Sequence, residues 1–149
     1  MAQKEFLGAL ADACRAKGIH TAIETSMLIY DEDILKKMDL IMADVKVWDS
    51  AEHEKYTNVP NNKIIEHLRK ADSLGIPMIL RTPVVPGVLQ DIPRISAFAA
   101  ELKNVRQYEL LPYHPLGDSK RAAMGLEPAP FVQPSKEQMK ELNTYAFLR

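Results

Sequence analysis

The feature that most constrains the fold of this chain is a repeated alternation between amphipathic segments and short apolar runs. The amphipathic segments cover residues 2–17, 32–38, 61–75 and 92–103, and the apolar runs cover residues 19–25, 40–45, 77–85 and 107–113. Such alternation is typical of βα units that build a parallel sheet. We therefore predict an α/β fold with about four parallel strands and flanking helices, in a single domain over residues 1–149. A loop rich in Pro and Gly (112–134) is predicted to precede a final helix (136–148).

The charge of the chain excludes some classes of partner. Its 149 residues carry a net charge of −1, which gives no broad field to attract nucleic acid or an anionic membrane, so neither is predicted. No apolar run approaches the roughly 20 residues that span a bilayer. Because the N-terminus also lacks a secretory signal pattern, we predict a cytoplasmic protein.

The single cysteine, Cys14, limits the chemistry that this chain can perform. One thiol cannot form an internal disulfide, nor can it supply a metal site that needs several thiolates. On the first predicted helix Cys14 shares a face with Phe6 and Leu10, so this face is predicted to be buried and Cys14 to be a small core residue.

Each predicted strand delivers a charged or titratable group to the rim formed by the strand ends. Active sites in parallel α/β folds lie beyond the carboxyl ends of the strands, because these ends meet at one rim. We therefore predict a functional site at this rim. Its candidate residues are Glu24, Thr25, Asp44, Lys46, Arg81, Thr82 and His114.

Asp44 and Lys46 form the most informative pair at the rim. In a strand their side chains lie on the same face, about 6.5 to 7 Å apart along the chain. A carboxylate and an ammonium so placed complement the two ends of an amino-acid-like zwitterion, and Glu24 adds an acceptor. The alternative is a structural ion pair at a solvated rim, because clustered charges are often structural.

Arg81 and His114 allow two interpretations each. Arg81 lies among apolar residues, where an unpaired guanidinium would be costly, so it is predicted to have an anionic partner. That partner is either a ligand carboxylate or a rim acid such as Asp44. His114 follows the last strand and is either a ligand-binding group or a loop histidine that bonds a carbonyl.

Four sequence motifs occur in order at these strand ends. They are GIHTAIETS at residues 18–26, LIMADVK at 40–46, RTPVVPG at 81–87 and ELLPYHPLG at 109–117. Together they resemble the pyruvate formate-lyase activating enzymes, which are glycyl-radical-enzyme activases of the radical S-adenosylmethionine superfamily. The resemblance covers nearly the whole chain, and four ordered motifs are far more specific than any one of them.

The resemblance implies a partial (β/α)6 barrel, of which this chain would supply the third to sixth strands. In that family a C-x3-C-x2-C loop after the first strand binds a [4Fe-4S] cluster, and a Gly-Gly-Glu-Pro-like motif ends the second strand. Neither motif is present in this sequence. Residues 3–6 match the stretch that follows the second motif, so we expect a truncated chain without iron–sulfur ligands.

The activity implied for the complete protein is reductive cleavage of S-adenosylmethionine at the cluster. The resulting 5′-deoxyadenosyl radical would abstract hydrogen from a glycine of a partner such as pyruvate formate-lyase, with flavodoxin or ferredoxin as electron donor. The residues present here would orient the cosubstrate rather than break bonds. We therefore expect no catalytic residue in this chain and no activity from the chain alone.

Carried over by position, the family motifs imply two sets of binding residues. The cosubstrate would contact Glu24, Lys46, Arg81 and His114, and a monovalent cation beside it would contact Glu24, Thr25, Met42 and Asp44. Two positions depart from the family pattern. Glu24 replaces the usual Asp, and Met27 replaces a Gly in a turn whose positive φ would disfavour Met.

Two alternatives from other functional classes stay open. Lys46 at a strand end could form a Schiff base, as in barrel aldolases, with Glu24 or Asp44 carrying protons. Alternatively, the open strand edges of a partial barrel could make the chain a non-catalytic domain that associates with itself or with another chain.

Overall fold

The computed structural model describes residues 3–149 and contains a five-stranded sheet with flanking helices. The strands are β1 (Ala22–Thr25), β2 (Leu40–Asp44), β3 (Met78–Val84), β4 (Val105–Pro112) and β5 (Phe147–Leu148). The helices are α1 (Lys4–Ala16), α2 (Glu32–Leu35), α3 (Ser50–Thr57), α4 (Asn62–Asp72), α5 (Ile92–Glu101), α6 (Asp118–Ala123) and α7 (Lys136–Leu142). Across the sheet the strands follow their order in the chain, with β1 to β4 parallel and β5 antiparallel. The predicted α/β fold with four parallel strands is confirmed.

One face of the sheet is covered by helices. The core joins buried strand residues with the apolar stripes of α4 and α5, and these helices contribute Ile64, Leu68, Ile95 and Phe98. Residues of the opposite face, such as Met42 and Ile79, are only half-buried. A doubly wound parallel sheet is covered on both faces. The half-open face is therefore a surface on which polar side chains can meet a ligand.

The first strand is shorter than predicted. Gly18 ends α1 with φ +66, and Ile19 N–H then donates to Cys14 O at 3.0 Å. These bonds terminate the helix, so Ile19 is exposed and the strand begins only at Ala22. The helix start predicted at Ala2 lies outside the described residues.

The predicted buried face of α1 is wrong. Phe6 and Leu10 are exposed, Cys14 is half-buried, and the buried residues of this helix are Gly8 and Ala11. Small residues occupy the buried face because α1 packs closely against Ile34. A Cβ on Gly8 would lie 3.2 Å from Ile34 Cδ1. Cys14 is therefore at the margin of the core.

The C-terminal region differs from the predicted long helix. Helix α7 ends at Leu142, and β5 then pairs with Gln107 and Tyr108 of β4. The Phe147 ring packs against Tyr108 at a centroid distance of 6.1 Å. A short apolar pattern such as the one here is compatible with a helix or with a strand. No helix within residues 3–149 is long and apolar enough to cross a membrane.

Candidate functional site

Four of the predicted rim residues form one network of ion pairs, which joins the carboxyl ends of β1 and β2 to Arg81 in the middle of β3. Arg81 Nη2 lies 2.5 Å from Glu24 Oε1 and 3.2 Å from Asp44 Oδ1. Arg81 Nε also donates to Asp44 Oδ1 at 3.2 Å. The other carboxylate oxygen, Asp44 Oδ2, lies 3.0 Å from Lys46 Nζ. Asp44 is thus shared by both cations.

The network becomes more exposed from Arg81 outward. The side chains of Arg81, Asp44, Lys46 and Glu24 are 14%, 25%, 37% and 62% exposed. The hydrogen bond that Arg81 donates to Glu24 raises the pKa of Arg81, and the charge of Asp44 raises it further against the lowering effect of burial. The charges of the two carboxylates balance those of the two cations. Glu24 and Lys46 are the more exposed members and can be reached by a solute.

The sequence around Lys46 directs its side chain to the open face. Val45 and Val47 are almost fully buried on the covered side, so alternation turns the residue between them the other way. The β2–β3 register pairs Asp44 with Arg81. Partners in register share a face of a parallel sheet, which is why these two residues meet.

The residues predicted to hold a monovalent cation divide between the two faces. Met42 pairs in register with Glu24 and lies two residues before Asp44, so these three side chains share the open face. Thr25 pairs with the fully buried Ala43, and its hydroxyl accepts a bond from Met27 N–H at 3.1 Å. The Thr25 hydroxyl therefore stabilises the turn after β1 and does not share the open face with the other three residues.

His114 stands apart from the network. It is exposed, follows β4 and precedes a short 3-10 turn at Pro115–Gly117. No hydrogen bond or ion pair within residues 3–149 joins it to the four network residues. The fold brings His114 to the same end of the sheet without fixing its side chain.

Glu109, the first residue of the ELLPYHPLG motif, is a further candidate that was not among the predicted site residues. It pairs in register with Arg81, is half-buried, and lies between the buried residues Tyr108 and Leu110. It therefore shares the open face with the network. Alternation along β4 was the signal that could have identified it.

A cavity of about 650 Å³ lies beside the site, between residues 84–93 and α7. Its lining includes Val85, Pro86, Gln90 and Leu142, and it contains none of the seven residues predicted to bind the cosubstrate or the cation. The cavity and the charged network are therefore neighbouring but separate surfaces.

The chain does not fit an iron–sulfur cluster by itself. Its one cysteine is Cys14 on α1, whereas clusters of this type are held by several thiolates. No group of three or more His, Cys, Asp or Glu side chains within residues 3–149 is arranged to hold a metal ion. By contrast, the charged network fits an amino-acid-like ligand, because it offers carboxylates to an ammonium and cations to a carboxylate.

The sequence is similar to those of several curated activating enzymes. It is 37% identical over 132 residues to the (2S)-3-sulfopropanediol dehydratase activating enzyme of Klebsiella oxytoca, covering 83% of this chain and 42% of that protein. It is 33% identical over 148 residues to the pyruvate formate-lyase 1-activating enzyme of Escherichia coli K12, covering 93% and 60%. The chain thus spans between about two fifths and three fifths of these relatives. No family model matches it.

Solved structures agree with the sequence comparison. A domain of the pyruvate-formate lyase-activating enzyme from Bacteroides vulgatus superposes with a TM-score of 0.77 and 26% identity, covering 95% of this chain and 83% of that domain. Streptococcus suis SuiB bound to its precursor peptide SuiA shares the fold, with a TM-score of 0.71 and 14% identity over 93% of this chain. Over nearly all of its length, this chain is homologous to the activating enzymes of pyruvate formate-lyase and related glycyl-radical enzymes.

Proposed function

We propose that this chain is the part of a glycyl-radical-enzyme activating enzyme that binds and orients S-adenosylmethionine. The observation that carries the proposal is the network of Glu24, Asp44, Lys46 and Arg81 on the half-open face of the sheet. Its position, at the carboxyl ends of parallel strands, is where such folds bind ligands. The partner would be a glycyl-radical enzyme such as pyruvate formate-lyase.

The residues of the network divide the work of binding by charge. Lys46, the more exposed cation, is available to the carboxylate of the methionine moiety, while Glu24 and Asp44 are available to its ammonium. Arg81 holds both carboxylates in place from beneath. Binding therefore replaces the ion pair between Lys46 and Asp44 with ion pairs to the ligand. Each charge stays compensated.

The complete enzyme would use S-adenosylmethionine at a [4Fe-4S] cluster for one-electron chemistry on a glycine of the partner, with a flavodoxin or ferredoxin as reductant. This chain contributes orientation only, because its single thiol cannot hold the cluster. The thiolates would come from another part of a longer protein. We accordingly propose that the chain alone is inactive.

Binding of S-adenosylmethionine to this chain tests the proposal. We expect affinity weaker than micromolar, with NMR shift changes centred on the network. Lys46→Met should weaken binding further, by about tenfold, because hydrogen bonds to charged groups are among the stronger ones. Lys55→Met, which removes an exposed lysine on α3, is the matched control and should bind as the parent does.

Two results would contradict this proposal. Equal affinity of the Lys46→Met and Lys55→Met variants would show that the network does not contact the ligand. Shift changes confined to the cavity beside α7 would place the ligand elsewhere. The aldolase and association alternatives stay predictions: borohydride trapping of a carbonyl substrate on Lys46 would reveal the first, and size-exclusion chromatography the second.

A further inference from the structure

The segment that follows β2 keeps one backbone bond to the neighbouring strand, from Val45 N–H to Arg81 O at 2.9 Å, and is otherwise held largely by side chains. Strand β2 ends at Asp44, and the next four carbonyl groups each accept a hydrogen bond from a side chain of another element. The bonds are Thr82 Oγ1 to Val45 O (2.7 Å), Gln90 Nε2 to Lys46 O (2.9 Å), Asn61 Nδ2 to Val47 O (2.9 Å) and Asn61 Nδ2 to Trp48 O (2.7 Å).

The three donor residues are themselves buried. Thr82, Asn61 and Gln90 are 0%, 4% and 6% exposed, and within residues 3–149 the fourth buried polar residue is His53. A buried amide must be hydrogen-bonded, because leaving it unpaired is costly. Three of these four buried polar side chains therefore donate hydrogen bonds to the backbone of residues 45–48.

Gln90 connects this segment to the loop of the RTPVVPG motif. Its Oε1 accepts from Val85 N–H at 2.9 Å, its Nε2 also donates to Pro83 O, and its own carbonyl accepts from Trp48 N–H at 3.1 Å. One residue thus satisfies backbone groups from the ends of both β2 and β3. Replacing it would loosen both ends at once.

Asn61 acts from the other side. The sequence predicts it as the N-cap of α4, and it does occupy that position, but its side chain makes no capping bond. Its amide instead reaches back to the carbonyls of Val47 and Trp48. The amide group is therefore used to hold the Lys46 segment rather than to stabilise its own helix.

We propose that Gln90 and Asn61 are positioning residues that fix the backbone from Lys46 to Trp48, so that the Lys46 ammonium group is held beside Asp44 for the cosubstrate. The inference rests on the proposed function. Lysine has a long, flexible side chain whose ordering is unfavourable. Fixing its backbone in advance reduces the freedom that is lost when a ligand binds.

The test compares Gln90→Glu and Asn61→Asp with Asn104→Asp in this same chain. Each change keeps the size of the side chain and removes its amide donors. Asn104 is the matched control because its Nδ2 donates to a backbone carbonyl, Asp72 O, at 2.6 Å, directly before β4 and at the opposite end of the sheet. All three variants should therefore lower the thermal midpoint.

Only the two positioning variants should change Lys46. We expect hydrogen exchange at Trp48 N–H to rise about tenfold in Gln90→Glu relative to Asn104→Asp, because losing the bond from Gln90 Nε2 to Lys46 O makes local opening of this segment easier by roughly the free energy of one hydrogen bond. In both positioning variants the NMR signals of the Lys46 side chain should approach those of a free lysine. Affinity for S-adenosylmethionine should fall about tenfold relative to the control. Should Gln90→Glu fail to fold, Gln90→Met removes the same donors without adding a charge.

The outcomes separate this inference from the proposed function. If Lys46 stays as ordered in folded positioning variants as in the control, the inference is overturned and the proposed function is untouched. If Lys46 loses order while affinity for S-adenosylmethionine is unchanged, the positioning role is again overturned. If Lys46 loses order but no protein, including the parent, binds S-adenosylmethionine, the proposed function fails and the structural effect on Lys46 is upheld.

Discussion

Arg81 sits between two carboxylates and is itself mostly buried. Arg81→Met leaves Asp44 partly buried without its guanidinium partner, so we predict that the free energy of unfolding falls by about 1–3 kcal/mol. Urea denaturation measures this change. Lys36→Met removes one partner of an exposed i,i+4 pair with Glu32 and should change stability little. Equal effects from both substitutions would mean that the network contributes no more than a surface ion pair.

Met27 combines a buried side chain with a left-handed backbone. Its φ is +58 and its side chain is fully buried, so Met occupies a left-handed turn position at which the resembled family usually has Gly. Met27→Gly relieves about 1–2 kcal/mol of backbone strain, but it removes a core side chain worth about 2–5 kcal/mol. The cavity term is larger, so we predict net destabilisation in thermal unfolding.

Asn58 provides the comparison for Met27. It also has a positive φ, +61, but it is exposed at the end of α3. Asn58→Gly relieves strain without opening a cavity, and we expect it to be neutral or slightly stabilising. Stabilisation by Met27→Gly would show that its side chain contributes less to packing than its burial indicates.

Single residues differ in how far the sequence can predict them. Asp44, Lys46 and Arg81 could be placed at the rim because strand ends and alternation depend on local pattern. The bonds of Asn61 and Gln90 could not be predicted, since their acceptors are carbonyls of a distant loop. Backbone acceptors have no sequence signature, which is why buried amides of this kind escape motif analysis.

At the scale of elements, a buried hydroxyl pair joins β3 and β4. Tyr108 O–H donates to Thr82 Oγ1 at 3.0 Å, and burial raises the pKa of Tyr108 from 10.0 to about 12. Ionisation therefore occurs first in the unfolded chain. The stabilising effect is complete below pH 10 and is lost as pH rises toward 12.

Tyr108→Phe tests this link between β3 and β4. The parent should lose up to about 1.4 kcal/mol of stability per pH unit above pH 10 from this group, and the variant should lose less. Urea denaturation across this range measures both. The difference between the two proteins isolates Tyr108 from Tyr30, whose pKa burial also raises. Parallel pH profiles would mean that Tyr108 reaches water before the protein unfolds.

Elements with strong apolar periodicity were predictable, whereas those held by other forces were not. Helices α4 and α5 follow apolar stripes that pack on the sheet. Helix α3 was not predicted because only His53 is buried along it, so it carries no apolar stripe. Strand β5 escaped because its two residues are ordered by pairing with β4 and carry no period of their own.

At the scale of the whole molecule, the cysteine content allows a direct test. Treated with iron and sulfide under reducing conditions, the chain should develop none of the charge-transfer absorbance of a [4Fe-4S] cluster, because one thiol cannot supply its ligands. Cys14→Ser should behave identically. A stable cluster in the parent that is lost in Cys14→Ser would contradict the proposal that the ligands lie elsewhere.

The agreement between strand order and chain order has a consequence for synthesis. Each strand from β2 to β4 pairs with the one made just before it, so each ladder can close soon after its second strand leaves the ribosome. Folding can then proceed in the direction of translation, since pairing does not wait for distant sequence. The exception is β5, which pairs with β4 only after α6 and α7 have been made, so this edge of the sheet stays unpaired until residues 147 and 148 are synthesised.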